Sequence, residues 1–260
     1  MQSITLMLIN ESGEEMKIPS KLEIVPILEA IYEIRFDTDS PEETNTGVIY
    51  SCFKDDFENV ENFPIMNLPS QLRNSEKELM YSPYQKMKSK DGTYILQYGQ
   101  RQFSLHCVDY SYDVFENFKT KINEVSNKLL DLEIISSVKR LGLRYTDFLN
   151  DENIPGYTFD DLNLQIDIAN MNRGENFSCS ALFMGKTARH RTQIYNSIEI
   201  EHKEIKKSGD LIDLDSFVED ENINIKNVED FVSNIHQEQK EIFFGILGEK
   251  VTKLLGPTYE

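Results

Sequence analysis

The side chains best suited to chemistry in this sequence are arginines gathered around a glycine. The stretch is Lys139-Arg140-Leu141-Gly142-Leu143-Arg144-Tyr145-Thr146-Asp147-Phe148. Strand alternation puts Arg140, Gly142, Arg144, Thr146 and Phe148 on one face of it. Lys139, Leu141, Leu143, Tyr145 and Asp147 take the other, where Leu141, Leu143 and Tyr145 are expected to build core. Two guanidiniums flanking a glycine leave backbone open between their forks, an arrangement able to hold a carboxylate or phosphate. The competing use is internal. In a chain this rich in acids, each arginine can instead fix strand register by pairing with a carboxylate, and that is the favoured reading. Arg35 and Arg101 would join Arg140 and Arg144 if a cleft brought the four together.

A second cationic group comprises Lys186, Arg189, His190 and Arg191 at an apparent hairpin, then His202, Lys203, Lys206 and Lys207. Local positive charge is what phosphate recognition needs, whatever the sign of the whole chain. Apart from Tyr195 no aromatics are interleaved, so a solvated hairpin tip is the plainer reading and nucleic acid is expected only through this 186–207 patch. Catalytic signatures are weaker still. Ser104 and His106 share a strand face with Asp109 just beyond, yet neither a strained turn nor a base from another segment is signalled. Asp213 and Asp215, helped by Asp160-Asp161 or Glu219-Asp220, have cation-chelating types, but acidic chains produce such pairs by chance. His236, Glu238 and Gln239 do not form H-E-x-x-H, and P-loop and dinucleotide fingerprints are missing. No catalytic residue, metal ligand or cofactor is therefore assigned, and the balance leans away from an enzyme.

The elements that must carry these groups read as α+β. An N-terminal hairpin is expected over Ile4–Ile9 and Met16–Ile18, and alternation over 30–36 gives a half-buried strand with Tyr32, Ile34 and Phe36 inward. Ser40-Pro41-Glu42-Glu43 reads as a capping box, and Ile49, Phe53 and Phe57 extend the helix it opens to about Val60. A meander of strands at 78–88, 93–98 and 102–108 follows, turning at Asp91-Gly92. Phe115, Phe118, Ile122, Val125, Leu129 and Leu132 then mark a helix over 112–132. After the arginine strand come strands at 163–168, 177–184, 192–201 and 211–214. A last helix opens at Asn227 and stops at Gly256-Pro257, with Gln239 placed to hydrogen-bond inside its packed stripe. The expectation is two packed halves, 1–135 and 136–260, each an antiparallel sheet covered by a long amphipathic helix, or one integrated domain.

Composition sets the outer limits. The 260 residues carry 27 basic and 45 acidic side chains, a net charge of −18, which opposes non-specific contact with nucleic acid or anionic membrane. Hydrophobic content of 39% with 28% charge is that of an ordinary globular protein. Cys52, Cys107 and Cys179 are odd in number and far apart, as expected of reduced thiols in a cytoplasm. The first residues lack the features of a signal peptide, and no run reaches the ~18 apolar residues of a membrane helix.

Several pieces together resemble a sporadically distributed family of uncharacterised prokaryotic proteins of about this length. They are Pro26, Glu33-Ile34-Arg35-Phe36, Gly99 with Arg101, the stretch from Lys139 to Tyr145, Asp213-Leu214-Asp215-Ser216-Phe217, and Ile235-His236 ahead of Phe243-Phe244. The run Arg140 to Tyr145 is the most specific of them. The resemblance implies no activity or cofactor. Its patchy distribution implies a mobile defence or toxin–antitoxin cassette, hence an antitoxin or accessory subunit with a protein partner; separately, sheet edges could pair to form a homodimer. The alternative is a small-anion or nucleotide-binding domain, or an enzyme, with an arginine-lined cleft.

Overall fold

A computed structural model of the chain describes residues 17–41, 44–164, 177–202, 205–220, 223 and 227–259. Among these residues the strands are β1 (Lys21–Leu22), β2 (Ile27–Asp37), β3 (Phe57–Asn62), β4 (Gln85–Ser89), β5 (Tyr94–Tyr98), β6 (Gln102–Cys107), β7 (Ser137–Leu149), β8 (Ser178–Met184), β9 (Arg189–His202), β10 (Ile205–Val218) and β11 (Pro257–Thr258). The helices are α1 (Thr44–Phe53), α2 (Ser70–Ser75), α3 (Lys77–Met80), α4 (Phe115–Leu130) and α5 (Val228–Leu254). The class is α+β as expected, but the strands do not form two sheets under two long helices. Nine of them make one sheet in the order β3-β4-β5-β6-β2-β7-β10-β9-β8, and β1 pairs separately with β11. Two compact units are interleaved in sequence. One is built from Met1–Leu28, Arg144–Ser216 and Asn234–Glu260, the other from Glu29–Leu143 and Phe217–Ser233.

In the unit holding residues 29–143, alternation in β2 is realised fully: Ala30, Tyr32, Ile34 and Phe36 are all buried. α4 starts at Phe115, the first residue of its apolar seam and three residues later than expected; just before it the Asp113 carboxylate accepts the Val114 amide and the Asn117 side chain. Its seam of Phe118, Ile122, Val125 and Leu129 is buried, each side chain contributing roughly 1.5–3 kcal/mol. The helix expected to continue to Val60 stops at Phe53, and 57–62 is strand β3 instead. Phe53 and Phe57 are both buried and meet edge to face at 6.2 Å, so their four-residue spacing spans a helix–strand corner rather than one helical turn. The strand expected over 78–88 likewise begins only at Gln85, its first residues lying in α3.

In the other unit, Leu149, Ile154, Tyr157, Phe159, Ile194, Ile212, Phe244, Leu247 and Val251 form one apolar cluster. β10 is much longer than the 211–214 foreseen. α5 breaks at Gly248, where φ is 67°, and Asn163 accepts the interruption. Its amide and side chain donate to the carbonyls of Ile246 and Gly245 at 2.8 and 3.1 Å. Gln239 is buried on the packed stripe and donates to the Leu214 carbonyl at 3.1 Å, as its position implied. All but the last two residues of the expected N-terminal hairpin, Glu42 and Glu43 of the expected capping box, nearly all of the 163–168 strand and Lys203 lie outside the described residues.

Candidate functional site

The arginines are positioned by strands and engaged by carboxylates. Glu33, Arg35 and Asp37 alternate onto one face of β2. Glu33 accepts Arg35 Nε at 2.9 Å and Arg140 Nη1 at 2.5 Å. Asp37 accepts Arg101 Nη1 at 3.0 Å, with Lys139 Nζ 3.2 Å away. Arg140 is buried, and its guanidinium also stacks on Phe217 at 4.4 Å. It folds back over its own strand: a Cβ on Gly142 would lie 2.6 Å from Nη1. Gly142 thus makes room for an internal guanidinium instead of opening backbone to a ligand.

Arg144, on the same strand, keeps its side chain 44% exposed. It clamps Asp213 with Nε and Nη2, Nε at 2.8 Å, and Asp213 is the buried partner at 7%. Arg140 and Arg144 therefore take separate carboxylates. Asp147 lies close to Asp213, fully buried, and its Oδ1 accepts no hydrogen bond. Burial first, and the charge of Asp213 second, push the Asp147 carboxyl well above the usual range.

The group at 186–191 is not a uniformly solvated tip. Arg189 and Arg191 are exposed, but His190 is 1% exposed. His190 Nε2 donates to Glu238 Oε2 at 2.8 Å, which leaves Nδ1 to accept the Ser216 hydroxyl at 2.7 Å. Glu238 on α5 also accepts the amides of Lys186 and Thr187 at 3.0 and 2.8 Å and the Thr187 hydroxyl at 2.5 Å. Burial raises the Glu238 carboxyl, but the hydrogen bonds from Thr187 and His190 outweigh it and hold the group below the ordinary glutamate value. A Cβ on Gly185 would sit 2.1 Å from Glu238 Oε2 and 2.3 Å from His190 Nε2, so a side chain there would force this pair to shift. Farther along, Lys206 and Lys207 lie 3.7 and 3.9 Å from Glu199 and Glu152.

Ser104 and His106 prove to be part of a Ser–His–Glu set. The acid is Glu29 and not Asp109: His106 Nδ1 donates to Glu29 Oε1 at 2.8 Å, and Nε2 faces Ser104 Oγ at 2.9 Å. Ser104 is only 2% exposed and also accepts Gln102 Nε2 at 2.8 Å. It lies mid-strand with β2 and β5 on either side, in register with Glu33 and Gln97, so the ladders take up the surrounding amides and leave no donors for an oxyanion. A nucleophile needs exposure and a strained turn, and Ser104 has neither.

In the sequence Glu29 went unnamed, Asp147 was placed only by strand alternation, and Glu238 was weighed only for a zinc motif. Glu238 had a signal: it follows Ile235 by three residues, a charged side chain on an apolar helical stripe. Glu29 had none, because its partner lies 77 residues away. Asp213, considered as a cation ligand, is held by Arg144, and its proposed helper Asp161 pairs with Lys250 at 2.5 Å. Among the described residues no cluster of three or more His, Cys, Asp or Glu side chains is placed to hold a metal ion. No described helix is long and apolar enough to cross a membrane. Neither a protein-family model nor a curated protein matches the chain.

Proposed function

We propose that this chain is a non-enzymatic binding protein that works by engaging another protein, as an antitoxin or accessory subunit of a mobile defence or toxin–antitoxin cassette. One observation carries the reading. Each arginine that would have lined an anion cleft is already occupied by an internal carboxylate: Arg35 and Arg140 by Glu33, Arg101 by Asp37, Arg144 by Asp213. A guanidinium neutralised in this way gives an incoming phosphate little to bind unless the pair is broken, at a cost of roughly 3–5 kcal/mol where the acid is buried. The resemblance noted above supports the cassette context, and the three free cysteines suit a reducing cytoplasm.

Affinity purification of the tagged chain from its native host, with mass spectrometry, tests the reading. A stoichiometric protein partner is the expected result. In parallel, ATP, GTP and inorganic phosphate at millimolar concentration are expected to leave the melting temperature unchanged. A nucleotide-dependent rise of several degrees, with no copurifying protein, would favour the arginine-cleft alternative.

A further inference from the structure

β3 and β4 are antiparallel neighbours, a pair that a turn of roughly two to five residues can join. Here the chain instead runs out through residues 63–84 before it returns. The excursion holds a 3-10 turn over Pro64–Asn67 and the two short helices α2 and α3. Its base is closed by the Phe63 amide, which donates to the Tyr84 carbonyl at 2.9 Å. Two further contacts hold it down. The Arg73 guanidinium lies 4.7 Å from the centre of the Tyr84 ring, and Gly99 admits the Ser82 carbonyl, which a Cβ there would meet at 2.5 Å. A long connection fixed in place in this way is a common carrier of function.

The excursion buries little of its own apolar surface. Ile65, Met66, Leu68, Leu72, Leu79 and Met80 are all exposed or half-buried, and neither the 3-10 turn nor α3 contains a buried residue. α2 is inside out. Arg73 is its one buried residue, at 2% exposure, while Leu72 beside it is 53% exposed. Leu68 is 38% exposed, and the bond from the Leu72 amide to the Pro69 carbonyl keeps it within a turn of Leu72. One exposed leucine needs no explanation, but several large apolar side chains left uncovered on an anchored segment mark a contact surface. Methionine suits such a surface because its unbranched side chain adapts to what it meets. The exposed ionisable groups alongside are Glu76, Lys77 and Glu78. Among the described residues neither glutamate carboxylate is held in an ion pair, so both stay available to a partner.

We propose that residues 63–84 dock a basic amphipathic segment of a partner protein, apolar along one side with lysines or arginines beside it. The inference rests on the protein-binding reading above. Leu68 and Leu72 supply the apolar contact, and Glu76 and Glu78 meet the cations at its border. Charge selects this occupant over others. A chain of net charge −18 draws in a positive partner and repels nucleic acid, anionic lipid and a second copy of itself. A wholly apolar partner would desolvate the two carboxylates and offer no counter-charge.

The test uses the full chain and three probes: a soluble peptide of leucine and lysine at helical spacing, its leucine–glutamate counterpart, and vesicles of phosphatidylcholine with phosphatidylserine. Binding is read by titration, and placement by amide hydrogen exchange. The expected result is binding of the lysine peptide, weakened about tenfold between 50 and 500 mM salt, with slowed exchange in 63–84. Leu68→Ser/Leu72→Ser trims exposed side chains, so the melting temperature should hold while binding falls about tenfold. Glu76→Lys/Glu78→Lys keeps the leucines and should switch preference to the glutamate peptide, which covers the case in which the serine variant fails to fold. Equal binding of both peptides, binding of neither, protection confined to other segments or preference for the vesicles would overturn the assignment. So would self-association of the parent that the serine variant loses. If the host partner copurifies equally with the parent and both variants, 63–84 is the wrong surface and the protein-binding reading stands. If the parent itself brings down no partner, that reading fails and takes the docking surface with it.

Discussion

Ser104–His106–Glu29 in one unit and Ser216–His190–Glu238 in the other use the same three side-chain types at nearly equal distances. What separates them is what else the acid holds. The Glu29 side chain is about a third exposed, whereas Glu238 is enclosed and gathers two backbone amides, a hydroxyl and the imidazole. The first set satisfies a polar patch on one sheet face. The second anchors the β8–β9 turn to α5. Matching the residue types of a catalytic set therefore says little; the backbone groups that converge on the acid say what it does.

The strongest way to break the comparison is to remove each acid. Glu238→Ala strands a buried histidine and two amides and is expected to cost about 3–5 kcal/mol in urea denaturation. Glu29→Ala, at a part-exposed site, should cost about 0.5–1 kcal/mol. Comparable losses would erase the distinction. Acid denaturation sharpens it. The folded Glu238 carboxyl lies below its unfolded value of about 4.3, so its contribution is complete above that pH and lost as pH falls through the folded value. Glu238→Gln should flatten that part of the stability curve.

Asp213 and Asp147 extend the comparison to an acid with a charged partner and one that lacks a donor at Oδ1. Arg144→Ala leaves Asp213 buried and unclamped, and is expected to cost about 2 kcal/mol, against less than about 0.5 for Arg189→Ala on the exposed strand. Equal melting temperatures for the two variants would count against this assignment. Asp147→Asn should go the other way. The folded carboxyl holds its proton to higher pH than the unfolded one, which ionises near pH 3.9, so Asp147 lowers stability as pH rises from there toward its folded value. The asparagine variant is expected to be the more stable of the two at pH 7 and no more stable below pH 3, a difference visible in melting curves at the two pH values.

Local patterns carried much of the fold. Alternation in 30–36, the three-and-four stepping of α4, and Leu141, Leu143 and Tyr145 all sit where their periods put them, because burial on one face is a short-range constraint. Patterns failed where one spacing served two geometries. Phe53 and Phe57 fit a helix and fit a corner equally well, and only the sheet beneath them decides. The site was less legible. That Arg140 and Arg144 pair internally was the favoured reading, but their acids Glu33 and Asp213 lie 107 and 69 residues away, and nothing local identifies them.

The β1–β11 pair has a consequence in time. Lys21 is in register with Thr258, and the Ser20 hydroxyl donates to the Thr258 carbonyl across 238 positions. Closing so long a loop is entropically costly, and topologies rich in such contacts fold slowly. Among the described residues β11 is the only strand that pairs with β1, and on the ribosome that pairing waits until residue 258 has been synthesised. This unit, assembled from three separate stretches of chain, therefore completes its fold last and spends the longest interval open to chaperones.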